Sequence, residues 1–480
     1  MKSTERLRMR TQLGYGAGDL YGGGAFFIVS TLYLVFLTDV MGVRPALAGL
    51  VVLIARAWDA VSDPVMGMIT DRTRTRMGRR RPYFLLGMPF IVLSFVFLWY
   101  PAGFAGEWAR FSYALVTYLF FSTVITMVMI PYNALASELT LDYGERSRLT
   151  AYRLAFSELS TIICALVPLI IIDAAASRAV GYPVMGLVFG LFFAIPFLAT
   201  FLTTSERPDF TARSTPAEWK AFAEPFRNRT FRRFILIFLF SFAAIDIVLA
   251  IIVFFVTHYL RIPHLTNLLL GTLLIVQLVL LPLYYALSRR YSKIIALITG
   301  AVIWIIAMLS SLFLRPGLPL PVYFVFAALV GSGTGGVIVM AYAIFPDIPD
   351  VDELVSGRRR EGIFAGVQTF LRKLTGAFAV FLVGQAIDIA GYVSPTESMV
   401  NGAAQVVIAE QSQAFITVLR VVFAAVPIVF IFVTILISLR FPLSREVHGK
   451  LKAYLAERRA NDGKVVDEAY EKELRALLFD

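Results

Sequence analysis

Long apolar stretches, repeated along the chain and separated by charged turns, limit this sequence more than any other feature. About twelve stretches of roughly 18 to 28 residues qualify, close to the length a helix needs to cross a ~30 Å hydrocarbon layer. They fall at 12–38, 44–70, 83–101, 110–137, 149–173, 182–203, 232–257, 265–288, 293–314, 320–345, 362–391 and 414–440. The 480 residues are 58% hydrophobic and only 16% charged, whereas a soluble domain is about 25% charged. The pattern predicts an all-α membrane protein with twelve transmembrane helices.

Lysine and arginine outnumber aspartate and glutamate by 44 to 33, a net charge of +11. That excess would suit nucleic acid, but the basic residues sit between the spans, so they are read as topology signals and no nucleic-acid partner is expected. The amino terminus and the connections 71–82, 138–148, 204–233, 289–293 and 346–361 are rich in them, and the alternate connections are poor. By the positive-inside rule both termini are expected in the cytosol of a cell membrane. The first apolar stretch lacks a small-residue cleavage signal and is expected to stay in the mature protein. A single cysteine, Cys164, excludes a disulfide framework, and the three histidines are too scattered for a metal or nucleophile set. Neither an enzyme nor a cofactor is expected.

The longest basic connection divides the chain into similar halves. The expected organisation is a six-helix bundle at 1–203, a cytosolic linker at 204–231, a second bundle at 232–440 and a cytosolic helical tail at 441–480. In the linker Ser214, Thr215 and Pro216 signal a helix start, and Trp219, Phe222 and Phe226 recur at near-helical spacing, which predicts a short amphipathic helix. Asn228-Arg229-Thr230 matches a glycosylation sequon on the predicted cytosolic side and is read as accidental. In the tail Ser444 is the expected cap and Asn461-Asp462-Gly463 the expected stop.

Residues 52–83 hold the strongest functional signal. Asp59 and Asp63 are spaced i, i+4 with Arg56 on the same apolar helix, which runs into a turn carrying Arg72, Arg74, Arg76, Arg79, Arg80 and Arg81. Two acids in a membrane span disfavour insertion by roughly 2.5–3.5 kcal/mol each, so they belong in a water-filled cavity, on a cation or against a base. The bland alternative is a static pair with Arg56 or Lys373. A weak internal repeat links Glu138 to Arg148 after the fourth span with Asp347 to Gly362 after the tenth, both turns running from acid to base. Two parallel six-span halves with pseudo-symmetry are the plan of the major facilitator fold.

Gly18-Asp19-Leu20-Tyr21, Thr38-Asp39, Arg56-Ala-Trp-Asp59-Ala-Val-Ser-Asp63-Pro64, Arg81-Pro82-Tyr83, Gly357-Arg358-Arg359-Arg360-Glu361-Gly362 and Phe441-Pro442-Leu443 narrow the comparison. Together they resemble the glycoside-pentoside-hexuronide:cation symporter family over nearly the whole chain. The resemblance implies coupled transport of a small molecule, a sugar above all, with Na⁺, Li⁺ or H⁺. A monomer in the lipid bilayer is expected.

The resemblance assigns Asp59, Asp63 and Thr126 to a cation site. A hard cation takes oxygen ligands, which these residues supply. Ser62 stands where melibiose-transporting members have an asparagine, so one carbonyl ligand is missing. Asp19 and Arg153 match sugar-contacting positions, a carboxylate to accept and a guanidinium to donate. Lys373 matches a lysine close to both sites. In the fourth span Met129 and Asn133 replace the acid and the tryptophan that hold a galactosyl unit, which argues against an α-galactoside. Tyr132 between them, with Tyr21, Tyr33, Trp58 and Tyr152, is an aromatic candidate for stacking on a sugar ring. Interspan bracing is the plain alternative for Asp19 and Arg153, and Glu158 and Asp246 face the same choice between cavity and neighbouring helix.

Charged turns are the candidate coupling and gating elements: Arg56, Asp71, Arg72, Arg76, Glu138, Asp142 and Arg146 in one half, and Asp350, Asp352, Arg359 and Glu361 in the other. Solvated topology charges are the rival, since exposed pairs contribute only about 0–1 kcal/mol. Two functional alternatives remain at this level. One keeps the fold and carries a lysolipid or other amphiphile, to which Met129 and the phenylalanine-rich spans are suited. The other is a non-transporting membrane sensor, against which the intramembrane acids argue.

Overall fold

The computed structural model describes residues 7–140, 143–206, 219–357, 360–400, 403–407, 409–461 and 467–479. Among them eleven helices are long and apolar enough to cross a membrane, and Pro82–Leu98, 17 residues long, is a shorter apolar helix in the position of the third predicted span. In chain order the twelve are α1 (Met9–Val40), α2 (Pro45–Arg72), α3 (Pro82–Leu98), α4 (Glu107–Leu139), α5 (Arg148–Ala174) and α6 (Arg178–Thr203), then α7 (Arg229–Tyr259), α8 (Pro263–Arg290), α9 (Lys293–Phe313), α10 (Leu320–Ser356), α11 (Glu361–Ile389) and α12 (Gln413–Leu439). Two polar helices follow, α13 (Arg445–Ala460) and α14 (Glu468–Leu478).

Local chemistry sets the helix starts. Proline occupies the first turn of α2, α3 and α8, where its missing N–H removes no intrahelical bond. Ser177, Ser292 and Ser444 cap α6, α9 and α13, each hydroxyl accepting from the amide three residues on. The expected cap of the tail is therefore present. Asn228 is buried and its Oδ1 accepts from Phe231 N at 3.1 Å, so the sequon asparagine serves as the cap of α7. The first span of each half ends alike, in a five-residue π turn at Phe36–Val40 and at Phe255–Tyr259.

The chain divides into two compact units. The first holds Met1–Thr215, Leu249–Gly271 and Val380–Leu419. Within it α1 packs along α5, α2 along α4 and α3 along α6. At the end of α1 opposite the basic turn, segments from late in the chain pack onto α1 and α2. Tyr392 donates to Asp39 Oδ1 at 2.6 Å, Ser394 donates to the Thr38 carbonyl at 2.9 Å, and Gln385 donates to the Ala46 carbonyl at 3.2 Å. His258 Nε2 lies 3.3 Å from the same Tyr392 hydroxyl. Burial, and next the Asp39 carboxylate, push that hydroxyl's pKa up, so it remains a donor.

The second unit holds Pro216–Val248, Thr272–Ala379 and Arg420–Asp480. Here α9 lies against α10 so closely that a Cβ on Gly300 would meet the Gly336 backbone, the close approach that small residues permit in membranes. Phe231, Phe234, Phe238, Leu297 and Phe364 centre its core. The tail helices pack through Leu451, Tyr454, Leu455, Leu474 and Leu478 onto Val351 and Leu354 of α10.

Two connections differ from expectation. The linker forms a 3-10 helix at Trp219–Arg227, with Pro225 inside it, and its proposed start at residues 214–216 lies outside the described residues. The connection after α11 carries an antiparallel hairpin, β1 (Thr396–Val400) with β2 (Ala403–Val407), pairing Thr396 with Val407.

Candidate functional site

The two acids of α2 meet two hydroxyls of α4 in matched steps. Thr126 donates to Asp63 Oδ1 at 2.7 Å, and four residues earlier Ser122 makes a short hydrogen bond to Asp59 Oδ1. Both helices therefore present an i, i+4 pair, one pair of acids against one pair of hydroxyls. Ser62 adds a third hydroxyl, 3.4 Å from that of Thr126. Asp59 is 1% exposed, and Arg56 Nη1 lies 3.3 Å from its Oδ2 with the guanidinium over the Phe26 ring. Pro64 lacks the N–H that would bond the Ala60 carbonyl, which frees one more oxygen on the stretch carrying the acids. Such an oxygen-only set suits a hard monovalent cation or a proton. The Arg56 pair is real and falls on Asp59, while Thr126 holds Asp63.

A second cluster joins α1, α4 and α5. Arg153 Nε lies 3.2 Å from Asp19 Oδ2, and Asp19 is buried. Asp19 Oδ1 is buried without a hydrogen bond of ordinary geometry, with Ser157 the hydroxyl facing this carboxylate. A buried acceptor in that state is poised for a hydroxyl donor. Met129 reaches the same place, since a Cβ on Gly22 would meet both Asp19 Oδ1 and Met129 Cε. Tyr132 is buried, stacked on Tyr15 with centroids 4.7 Å apart, and Arg153 sits over its ring. Its hydroxyl donates to the Tyr15 carbonyl at 2.7 Å, so this ring braces the cluster and offers no free stacking face. Asn133, one residue on, is exposed.

The remaining aromatic candidates are also engaged. Tyr21 packs on Phe193 and Phe197, and Tyr33 on Trp99 and Tyr118. Trp58 donates to Thr123 Oγ1 at 3.0 Å, and Tyr152 contacts Met9 sulfur. Asp246 takes a two-pronged bond from Arg372, at 2.5 and 2.9 Å, which is the helix-pairing reading of that acid. Lys373 is half-buried on α11 in the second unit, and Glu158 is half-buried with no ion pair among the described residues.

The basic turn of the first unit is a closed network. Arg79 Nη2 and Arg80 Nε both donate to Glu138 Oε1 at 2.6 Å, and Asp71 Oδ1 lies 3.3 Å from Arg80. Glu206, which sequence reasoning missed, accepts from the amides of Arg79, Arg80 and Arg81 at 2.8, 2.8 and 3.0 Å. Gly78 makes this possible with φ +106°, a conformation that aims successive amides at one anion. Arg72 and Arg76 are exposed, and the arginines that hold Asp71 and Glu138 are Arg79 and Arg80. Asp142 and Arg359 lie outside the described residues, as do the side chains of Arg146 and Glu361. In the second unit Arg360 holds Asp352 with two bonds of 2.9 and 2.8 Å and also contacts Glu224.

Helices of spanning length, intramembrane acids on hydroxyls and a charged turn locked at one end define a secondary transporter of the membrane. The chain belongs to the MFS/sugar transport protein family, whose model matches residues 14–445. It is 27% identical to an uncharacterised symporter of Synechocystis sp. over 96% of this chain and 99% of that one. It is 27% identical to a putative glycoside/cation symporter of Escherichia coli over 97% and 98%. The sodium-dependent lysophosphatidylcholine symporter 1-B of Danio rerio is 23% identical over 96% and 92%. A bacterial homologue of the lysosomal transporter Spinster superposes with TM-score 0.61 at 14% identity, covering 90% of this chain and 95% of that one, a likeness of fold. The protein is a symporter and not an enzyme.

Proposed function

We propose that the protein couples uptake of a glycoside, pentoside, hexuronide or related polyhydroxylated molecule to a cation bound at Asp59 and Asp63. One observation carries the reading. Thr126, which holds Asp63, and Met129, which reaches Asp19, are three residues apart on α4, about 4.5 Å of helix rise. A cation that draws Asp59 and Asp63 together shifts the α4 turn that shapes the substrate cluster. Coupling requires that the cation favour the substrate-ready arrangement, and the effect is reciprocal.

The bundles at 1–203 and 232–440 are the moving bodies, and the basic connections, both termini and the tail face the cytosol. Asp71, Glu138, Arg79, Arg80 and Glu206 stabilise the cytosolic turn, and Arg360 with Asp352 is its counterpart after the tenth span. Two carboxylates with the hydroxyls of Ser62, Ser122 and Thr126 accommodate Na⁺ or Li⁺, and without a side-chain amide ligand at 62 they also suit H⁺. A lysolipid cargo is the second reading, favoured by Met129 beside Asp19 and by the similarity to the zebrafish symporter.

Counterflow in proteoliposomes with a panel of glycosides, pentosides, uronides and a lysolipid, under Na⁺, Li⁺ or a pH gradient, tests the assignment. Cation-stimulated exchange of one polyhydroxylated compound supports the first reading. Exchange of the lysolipid alone, unaffected by Asp19→Ala, replaces it with the second.

A further inference from the structure

The second unit contains a cavity of about 260 Å³ that the transport reading does not use. It lies where α8 ends, α9 begins and the tail helix α13 begins, on the face that the basic connections assign to the cytosol. Arg289, Lys293 and Arg445 line it with His448, and Asp347 is the acid among them. Lys293 Nζ lies 2.5 Å from Asp347 Oδ2, which neutralises one cation, and His448 Nε2 turns to Asp350 at 3.0 Å. Arg289 and Arg445 have no carboxylate partner among the described residues. Arg445 is nonetheless held in place, because its Nη1 donates to the Arg289 carbonyl at 2.6 Å.

Two helix starts share the lining, at Ser292-Lys293 and Ser444-Arg445. Their cap hydroxyls serve the third-residue amides, so the positive ends of two macrodipoles add to the two uncompensated guanidiniums. Ile294, Ile344, Phe441 and Leu443 supply apolar wall, and Tyr285 and Ser288 complete the lining. Tyr291 and Ile295, adjacent in sequence to lining residues, are exposed.

We propose that this cavity binds a phosphate-bearing anion. Guanidiniums and helix amides recognise phosphate oxygens, and the apolar walls accept the glycerol backbone of a phospholipid or the carbon skeleton of a soluble phosphate ester. Binding here would tie the tail helix to α8 and α9 and is independent of the transported cargo.

The test uses the full-length protein in two arms. In one, native mass spectrometry counts lipid retained from nanodiscs of phosphatidylcholine with or without phosphatidylglycerol. In the other, inorganic phosphate is titrated calorimetrically into detergent-solubilised protein. Native protein is expected to retain phosphatidylglycerol or bind phosphate, and R289Q/R445Q to lose that binding by about tenfold or more. Arg445→Gln alone should show a smaller loss, and Arg290→Gln, outside the cavity, none. Binding in the lipid arm names a headgroup as ligand, and binding in the phosphate arm alone names a soluble ester. Equal binding by native protein and R289Q/R445Q in both arms, or binding in neither, overturns the proposal.

Discussion

Thr126 on α4 donates its hydroxyl to Asp63 on α2 at 2.7 Å, which fixes the half-buried acid of the pair to a neighbouring helix. Asp59, one turn earlier, is held the same way by Ser122 and also by Arg56. The two acids thus have different environments, and the following outcomes separate their roles.

Removing the Thr126 hydroxyl should weaken cation binding first. A hydrogen bond to a charged acceptor contributes about 1.5–3 kcal/mol, roughly a ten- to hundredfold effect. Thr126→Val is expected to raise the cation concentration for half-maximal stimulation by at least that lower factor, and Thr126→Ser to restore it. Substrate affinity at saturating cation should change little, as read by equilibrium binding.

Arg56 offers a check of opposite sense. Removing one partner of a buried ion pair is a loss of about 3–5 kcal/mol. Arg56→Gln should therefore make folding depend on the coupling cation. The rise in melting temperature on adding that cation is expected to exceed that of the native protein, and an unchanged rise would mean that Arg56 and the cation do not share Asp59.

Asp19 separates cargo recognition from cation binding. Asp19→Asn keeps a buried polar group but removes the charge that holds Arg153 at 3.2 Å. Substrate dissociation constants should rise by about tenfold or more while cation-dependent thermal stabilisation persists. Loss of both together would place Asp19 in the cation site.

Glu206 should matter more than its exposed surroundings suggest. Its carboxylate accepts three backbone amides at 2.8–3.0 Å and thereby shapes the turn that presents Arg79 and Arg80 to Glu138. Glu206→Ala is expected to lower the melting temperature and the transport rate. Arg76→Ala, on an exposed side chain of the same turn, is expected to leave both unchanged.

Legibility followed the physics that each residue depends on. Asp59 and Asp63 stand out because charge in an apolar helix is rare and their i, i+4 spacing needs no tertiary information. Ser122 was equally readable as the residue four before Thr126, but hydroxyls are common in membrane helices and only the facing acids mark it. Glu206 had no such signal, since its partners are backbone amides exposed by the Gly78 conformation. Six arginines crowd 72–81, and composition cannot tell that Arg79 and Arg80 are buried on Glu138 while Arg72 is exposed. Tyr132 could stack on a ligand or on a neighbour, and only packing shows that Tyr15 takes its face. The hairpin after α11 carries no sequence signal, because the apolar and polar residues of 396–407 form no run long enough to stand apart from a loop.

The most direct test compares cargo uptake by native protein, Asp59→Cys and Asp63→Cys in proteoliposomes, with and without a cation gradient, for the compound that the counterflow panel selects. The account predicts that the gradient stimulates uptake by native protein and that both variants, folded and inserted, lose that stimulation. Full cation stimulation in either variant would contradict the assignment of the coupling site to this pair of acids.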